Sequence, residues 1–206
     1  MPASQSFEKI LFIKGDESLY RDTNEDDTDS TIESEEETED GTVRMKMIIA
    51  RPENKLYKNA TSGKMVDSRD FMGRKFLIDG EIKAYEWKLT GEQEEILGYA
   101  CQKATFQKEE DTIEAWFTMQ IPVSNGPDNY GQLPGLILKV VSDNGDREIV
   151  ATNVKLETIA EDAIEIPTKG KKVSQEEYDA IVEKKTKEME EENGGNGTFQ
   201  IKIRNN

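Results

Sequence analysis

The sequence contains no histidine and a single cysteine, Cys101. Without an imidazole there is no Ser-His-Asp chemistry, and the commonest zinc ligand is missing. One cysteine cannot close a disulfide within the chain, and with no histidine beside it to lower its pKa it reads as a buried, inert thiol. Apolar residues make up 34% of the 206, no more than the charged ones, so part of the chain contributes little to a core. No apolar run approaches the roughly 20 residues that a bilayer-spanning helix needs. Met1-Pro2-Ala3-Ser4 has neither the basic nor the apolar part of an export signal. Positive charge is in the minority: the net charge of −16 opposes attraction to nucleic acid or anionic lipid, and neither is expected as a main partner. There is no internal repeat, phosphate loop or dinucleotide fingerprint, since Gly194-Gly195-Asn196-Gly197 follows no buried strand and opens no helix. No cofactor is expected. Asp26, Asp27 and Asp29 are hard oxygen donors, but the glycine and glutamate that a calcium loop needs at fixed spacing are absent, so no metal site is expected either. Carboxylates are too abundant for any pair to stand out as a general acid and base.

What the sequence does have is a loop pinned by glycine and proline, residues 121–135, that runs directly into the apolar Leu136-Ile137-Leu138. Pro122, Pro127 and Pro134 fix φ and remove backbone donors, while Gly126, Gly131 and Gly135 permit turns that other residues resist. The strand that follows is apolar on both faces and is expected in the interior of a sheet. The loop itself is read as a structural turn feeding a core strand, with a binding loop as the alternative.

Strand patterns fill most of the remainder. Residues 7–13 read as a strand broken by Gly15-Asp16, residues 43–50 alternate as a half-buried strand, and residues 55–58 start its return. Between them, residues 21–41 are acidic with a single aliphatic, Ile32, and read as a flexible loop insert. Asp79-Gly80 predicts a tight turn between strands 75–78 and 83–89, with Tyr85, Trp87 and Leu89 on one face. Alternation falters over residues 101–106, predicting a bulge there. Residues 113–121 alternate cleanly, which puts Trp116 among Glu114, Thr118 and Gln120. Asn144-Gly145 predicts a hairpin with residues 148–156 as its second strand. Ser174-Gln175-Glu176-Glu177 fits a capping box that opens a narrow-striped amphipathic helix over residues 174–192, and residues 193–206 read as a tail or an edge strand. The whole is expected to be one α+β domain over residues 1–206, a mainly antiparallel, meandering and curved β-sheet with a C-terminal helix. By loose architectural analogy it would be like the half-barrels of periplasmic lipoprotein carriers.

Gln132-Leu133-Pro134-Gly135-Leu136-Ile137, with Gly98-Tyr99-Ala100-Cys101-Gln102-Lys103-Ala104 and Ala115-Trp116-Phe117-Thr118 upstream, resembles the GLPGLI family over roughly residues 56–156, with Gln132 in place of the first glycine. The resemblance implies a protein exported by Gram-negative bacteria, periplasmic or associated with the outer membrane, from a family with no established activity. It also implies that an export signal and a strand precede Met1. Together with the missing catalytic motifs, it leads to the expectation of a non-enzymatic binding or accessory protein of the cell envelope, with an outer-membrane transporter or other envelope protein as a partner. A carboxylate-based hydrolase and a purely structural interaction module are the alternatives. The candidate ligand or partner surface is Trp116 with Tyr130 and Leu133, which the loop is expected to bring over the indole either as a lid or as the frame of an apolar pocket.

Overall fold

The computed structural model describes residues 6–23, 29–38, 41–50, 53–108 and 111–193. The first sheet contains β1 (Lys9–Lys14), β2 (Glu17–Asp22), β5 (Lys55–Asn59), β6 (Lys64–Phe71), β7 (Arg74–Glu81) and β13 (Lys171–Val173), in the order β1-β2-β5-β6-β7-β13. All neighbours in it are antiparallel except β13, which runs parallel to β7. The second sheet is antiparallel in the order β12-β11-β10-β9-β8, from β8 (Lys88–Ile96), β9 (Tyr99–Lys108), β10 (Asp111–Thr118), β11 (Leu136–Ser142) and β12 (Arg147–Val150). A separate two-stranded sheet joins β3 (Asp29–Thr38) to β4 (Gly41–Ala50). The expected single meander is therefore three open, mostly antiparallel sheets among the described residues, accompanied by one C-terminal helix, α1 (Gln175–Asn193).

Several local expectations change in this frame. Acidic residues 29–38, read as loop, form β3, whose backbone groups find partners by pairing along the whole of β4. Asp79-Gly80 is no turn: β7 runs through it and stays paired to β6 as far as Lys64↔Glu81, with Gly80 facing the Met65 side chain. The turn falls instead at Met72-Gly73, where both residues have positive φ (54° and 71°), as a two-residue hairpin matching strand twist requires. Residues 83–87 are consequently not a strand, and Leu89 is exposed while Tyr85 and Trp87 pack inward. The irregularity expected over 101–106 lies in the partner strand: β9 is paired without a shift to β10, and the register slips in β8 between Leu89 and Gln93, around Gly91. The Asn144-Gly145 turn closes β11 on β12 as read, but β12 stops at Val150. The possible edge strand beyond residue 193 lies outside the described residues.

The core is divided by the sheets. Ile137 of β11 packs on one face of the second sheet with Phe117, Val140, Tyr130 and Leu133, while its neighbour Leu138 packs on the other face with Trp116, Cys101 and Ile96. The strand after the loop is thus covered on both sides, as its composition required. In the first sheet, Leu19, Tyr57, Val66 and Leu77 form one face, and Phe76, Ile78 and Val173 form the other beneath Tyr178 of α1. The helix starts where the capping box places it: the Ser174 N–H donates to Glu177 Oε2 at 2.9 Å, and the Glu177 N–H donates to Ser174 Oγ at 3.1 Å.

Candidate functional site

Loop 121–135 is the joint between the two large sheets. It leaves β10 and re-enters the second sheet through Leu136 N–H to the Ile121 carbonyl and Ile137 N–H to the Asn125 carbonyl, both 3.0 Å. Two glycines are fixed by close approach. A Cβ on Gly135 would lie inside the Thr118 carbonyl, and one on Gly126 would stand 2.8 Å from Ile137 Cβ. From this fixed path the loop reaches outward. Gln132 accepts the Tyr85 N–H (3.0 Å) and donates to the Lys83 carbonyl (2.8 Å), and the Trp87 indole N–H donates to the Gly131 carbonyl (2.9 Å). Tyr85, Trp87 and Phe106 complete an aromatic group that includes Tyr130.

The strongest tie comes from the first sheet. Lys58, buried in β5, points its ammonium into the loop and donates to the carbonyls of Gly126 (3.0 Å), Asp128 (2.7 Å) and Tyr130 (3.1 Å). Burial lowers its pKa to about 8, opposed by the Asp128 carboxylate. Around it lies a polar seam on the same sheet face. Burial and the Asp128 charge push the Tyr20 hydroxyl up to about 12, with Arg147 opposing. Burial raises Asp67, with Arg69 opposing. Arg69 bridges Asp67 at 2.7 Å and lies 5.0 Å over the Tyr178 ring, and Arg147 bridges Asp128 at 2.7 Å. Both carboxylates are thus held by guanidinium partners and the buried amine is held by carbonyls. This seam locks elements together. Among the described residues no group of three or more His, Cys, Asp or Glu gathers as a metal site.

The three residues singled out from the sequence are all buried but do not meet as expected. Tyr130 and Leu133 cover Phe117 and Ile137, whereas Trp116 lies on the opposite face with Leu138 and Cys101. β10 keeps its alternation, with Ile113, Ala115 and Phe117 on one face and Trp116 on the other, and the slip in pairing beside Trp116 falls in β11, where Leu138 is the extra residue. The Lys103 and Lys139 ammonium groups lie 5.6 and 5.9 Å from the Trp116 ring centre. Lys58 was missed because a lysine in a strand is ordinarily solvated, and only the carbonyls folded back by a distant loop make its burial tolerable. The surface of the described residues includes two hollows of note. One of about 170 Å³ is lined by Gln93, Ala100, Cys101, Gln102, Met119 and Gln120. The larger, about 460 Å³, lies between β7, β13 and α1 and is lined by Arg74, Lys75, Phe76, Lys171 and Ile181.

Fold and site define a mainly antiparallel β domain with one C-terminal helix, its two large sheets bound through a rigid loop. Residues 23–184 match the family described as N-glycanase peptide, N-terminal domain, and the chain belongs to that family. Two solved structures of PNGF-II, in space groups P21 and C2, share the fold, each with a TM-score of 0.52. Their identities are 20% and 21%, and the matches cover 84% and 82% of this chain but 30% of each solved chain. The chain therefore spans about 30% of the length of the structures it resembles. No curated protein matches. These findings overturn assignment to the GLPGLI family, and with it the expectations of unestablished activity and of a non-enzymatic binding protein. The residues that suggested that family are the ones packing demands here, a glycine under the Thr118 carbonyl followed by a strand buried on both faces. Such demands recur wherever a loop enters a sheet this closely. No described helix is long and apolar enough to cross a membrane.

Proposed function

We propose that this chain serves as the N-terminal module of an N-glycanase-type amidase, an enzyme that removes N-linked glycans from glycoproteins, with hydrolysis carried out by polypeptide outside the module. The observation that carries this reading is the family match over residues 23–184. The geometry is consistent with it, since the polar groups at the joint, Lys58, Asp67 and Asp128, are committed to internal partners. The module's contribution is then a rigid frame that engages the glycoprotein beside the hydrolytic part. An exported enzyme fits this role, because its substrates are displayed outside cells.

The test is glycan release from an N-glycosylated glycoprotein by the polypeptide that the gene encodes in full, with conversion of the glycan-bearing asparagine to aspartate read by mass spectrometry. Release by the full polypeptide and none by residues 1–206 alone is expected. Absence of release from the full polypeptide, or equal release by residues 1–206, would contradict the proposal.

A further inference from the structure

We propose that the groove between β7, β13 and α1 binds an acidic saccharide, a sugar carrying a carboxylate or sulfate. The choice of a sugar rests on the N-glycanase reading, whereas the preference for an anion rests on the groove alone. Arg74 opens β7 two residues before Phe76, and Lys171 opens β13 in register with Phe76, so the three side chains share the sheet face on which α1 docks. In a chain of 43 acidic and 27 basic residues, the two lysines next to Arg74 and Lys171 along these strands are already engaged. Lys75 is held by Glu53, and Lys172 lies 3.8 Å from Asp79. Arg74 and Lys171 are exposed and have no ion-pair partner among the described residues. On the adjoining segments, Asp70 accepts the Gly73 N–H and Glu177 accepts the Ser174 N–H in the helix cap.

The position of Lys171 depends on Gly170. Its φ is +142°, and a Cβ there would lie 3.0 Å from the Phe76 carbonyl carbon and 3.1 Å from Lys75 backbone atoms. Only glycine lets the chain approach β7 this closely, which delivers Lys171 beside Phe76. The resulting hollow of about 460 Å³ has the size of a small-ligand site, with cations at its rim and Phe76 and Ile181 in its lining. Apolar lining suits the C–H face of a pyranose, and the Arg74 guanidinium suits a two-oxygen acid group. An acidic peptide fits less well. Extended peptides bind by adding to a sheet edge, and β13 offers three residues before the chain turns into α1.

The experiment titrates residues 1–206 with 3′-sialyllactose, sulfated lactose, neutral lactose and oligoglutamate, followed by NMR at the Ile181 methyl groups, in the wild type, Arg74→Gln and Lys171→Gln. Both substitutions replace exposed side chains, so folding is not at stake. The acidic sugars are expected to bind in preference to lactose and oligoglutamate, and each substitution to weaken them about tenfold, as loss of one charge-assisted contact does. Comparing the two acidic sugars separates carboxylate from sulfate recognition. Equal binding of lactose, equal or tighter binding of oligoglutamate, no binding of either acidic sugar, or unchanged affinity in both variants would overturn the proposal. Groove binding by a protein that releases no glycan would sink the enzyme reading and leave the groove, whereas glycan release without sugar binding here does the reverse.

Discussion

Lys58→Met tests the joint between the sheets. Methionine fills similar space but donates nothing, so the carbonyls of Gly126, Asp128 and Tyr130 lose their common donor. The bonds to Gly126 and Tyr130 are buried, and those two oxygens have no route to water; orphaning each costs about 2–3 kcal/mol. The Asp128 carbonyl is only partly buried and can turn to solvent. Removing the buried ammonium returns some of this, because a pKa lowered from 10.5 to about 8 corresponds to about 3 kcal/mol of unfavourable burial of charge. The net expectation is a loss of about 2 kcal/mol in urea-induced unfolding at neutral pH. Replacing both members of a buried polar pair with apolar groups is often harmless, but here the acceptors are backbone and cannot be replaced. The pH dependence gives an independent readout. Because the folded-state pKa of Lys58 lies below the unfolded one, the unfolded chain holds its proton longer, and stability should rise with pH from about 8 towards 10. Tyr20 and Tyr85 act in the opposite sense: raised from 10.0 to about 12, they contribute stability that is complete below pH 10 and lost above it, so the window for Lys58 closes there. Lys58→Met should abolish the rise between pH 8 and 10. A variant as stable as the wild type at neutral pH, with the same pH profile, would refute the reasoning.

Gly135→Ala should destabilise the fold by about 3 kcal/mol in denaturant titration, because the new methyl group meets the Thr118 backbone rather than a flexible side chain; an unchanged midpoint would show that the loop yields. Trp116→Ala should cost about 3–5 kcal/mol, the usual effect of deleting a large buried aromatic. In a Trp87→Phe background, Trp116 emission should be blue-shifted and resistant to acrylamide, and readily quenched emission would contradict its burial. Cys101 is buried, and burial raises its thiol pKa, so thiol reagents should label it slowly in the native state and rapidly in denaturant. Fast native labelling would count against that packing.

The parts of the fold legible in the sequence were those fixed by neighbours along the chain. The Ser174 capping box, the Asn144-Gly145 turn and the doubly apolar strand 136–138 each depend on a few consecutive residues, and each is where the sequence put it. Misread features were decided by strand partners far away. Asp79-Gly80 has turn chemistry, but pairing of β7 with β6 carries the strand through it, and residues 29–38 lack apolar periodicity yet are paired throughout with β4. The same distinction explains the site. Loop 121–135 was visible as a rigid element from its glycines and prolines, whereas its contact with Lys58, about 70 positions earlier, required the first sheet to be in place. Trp116 lies on the face that the alternation of β10 gives it, and the misplaced residues are Tyr130 and Leu133, whose side of the sheet is set by the path of the loop and its distant partners rather than by alternation.

The proposed role in deglycosylation is open to a direct test. The decisive measurement is the rate of N-glycan release from a folded glycoprotein by the full encoded polypeptide, compared with the same polypeptide lacking residues 6–193, each checked for folding by circular dichroism. The full polypeptide is expected to release glycan, and excision is expected to raise KM for the folded glycoprotein while the remaining part stays folded. Equal kcat/KM with and without these residues would contradict that role.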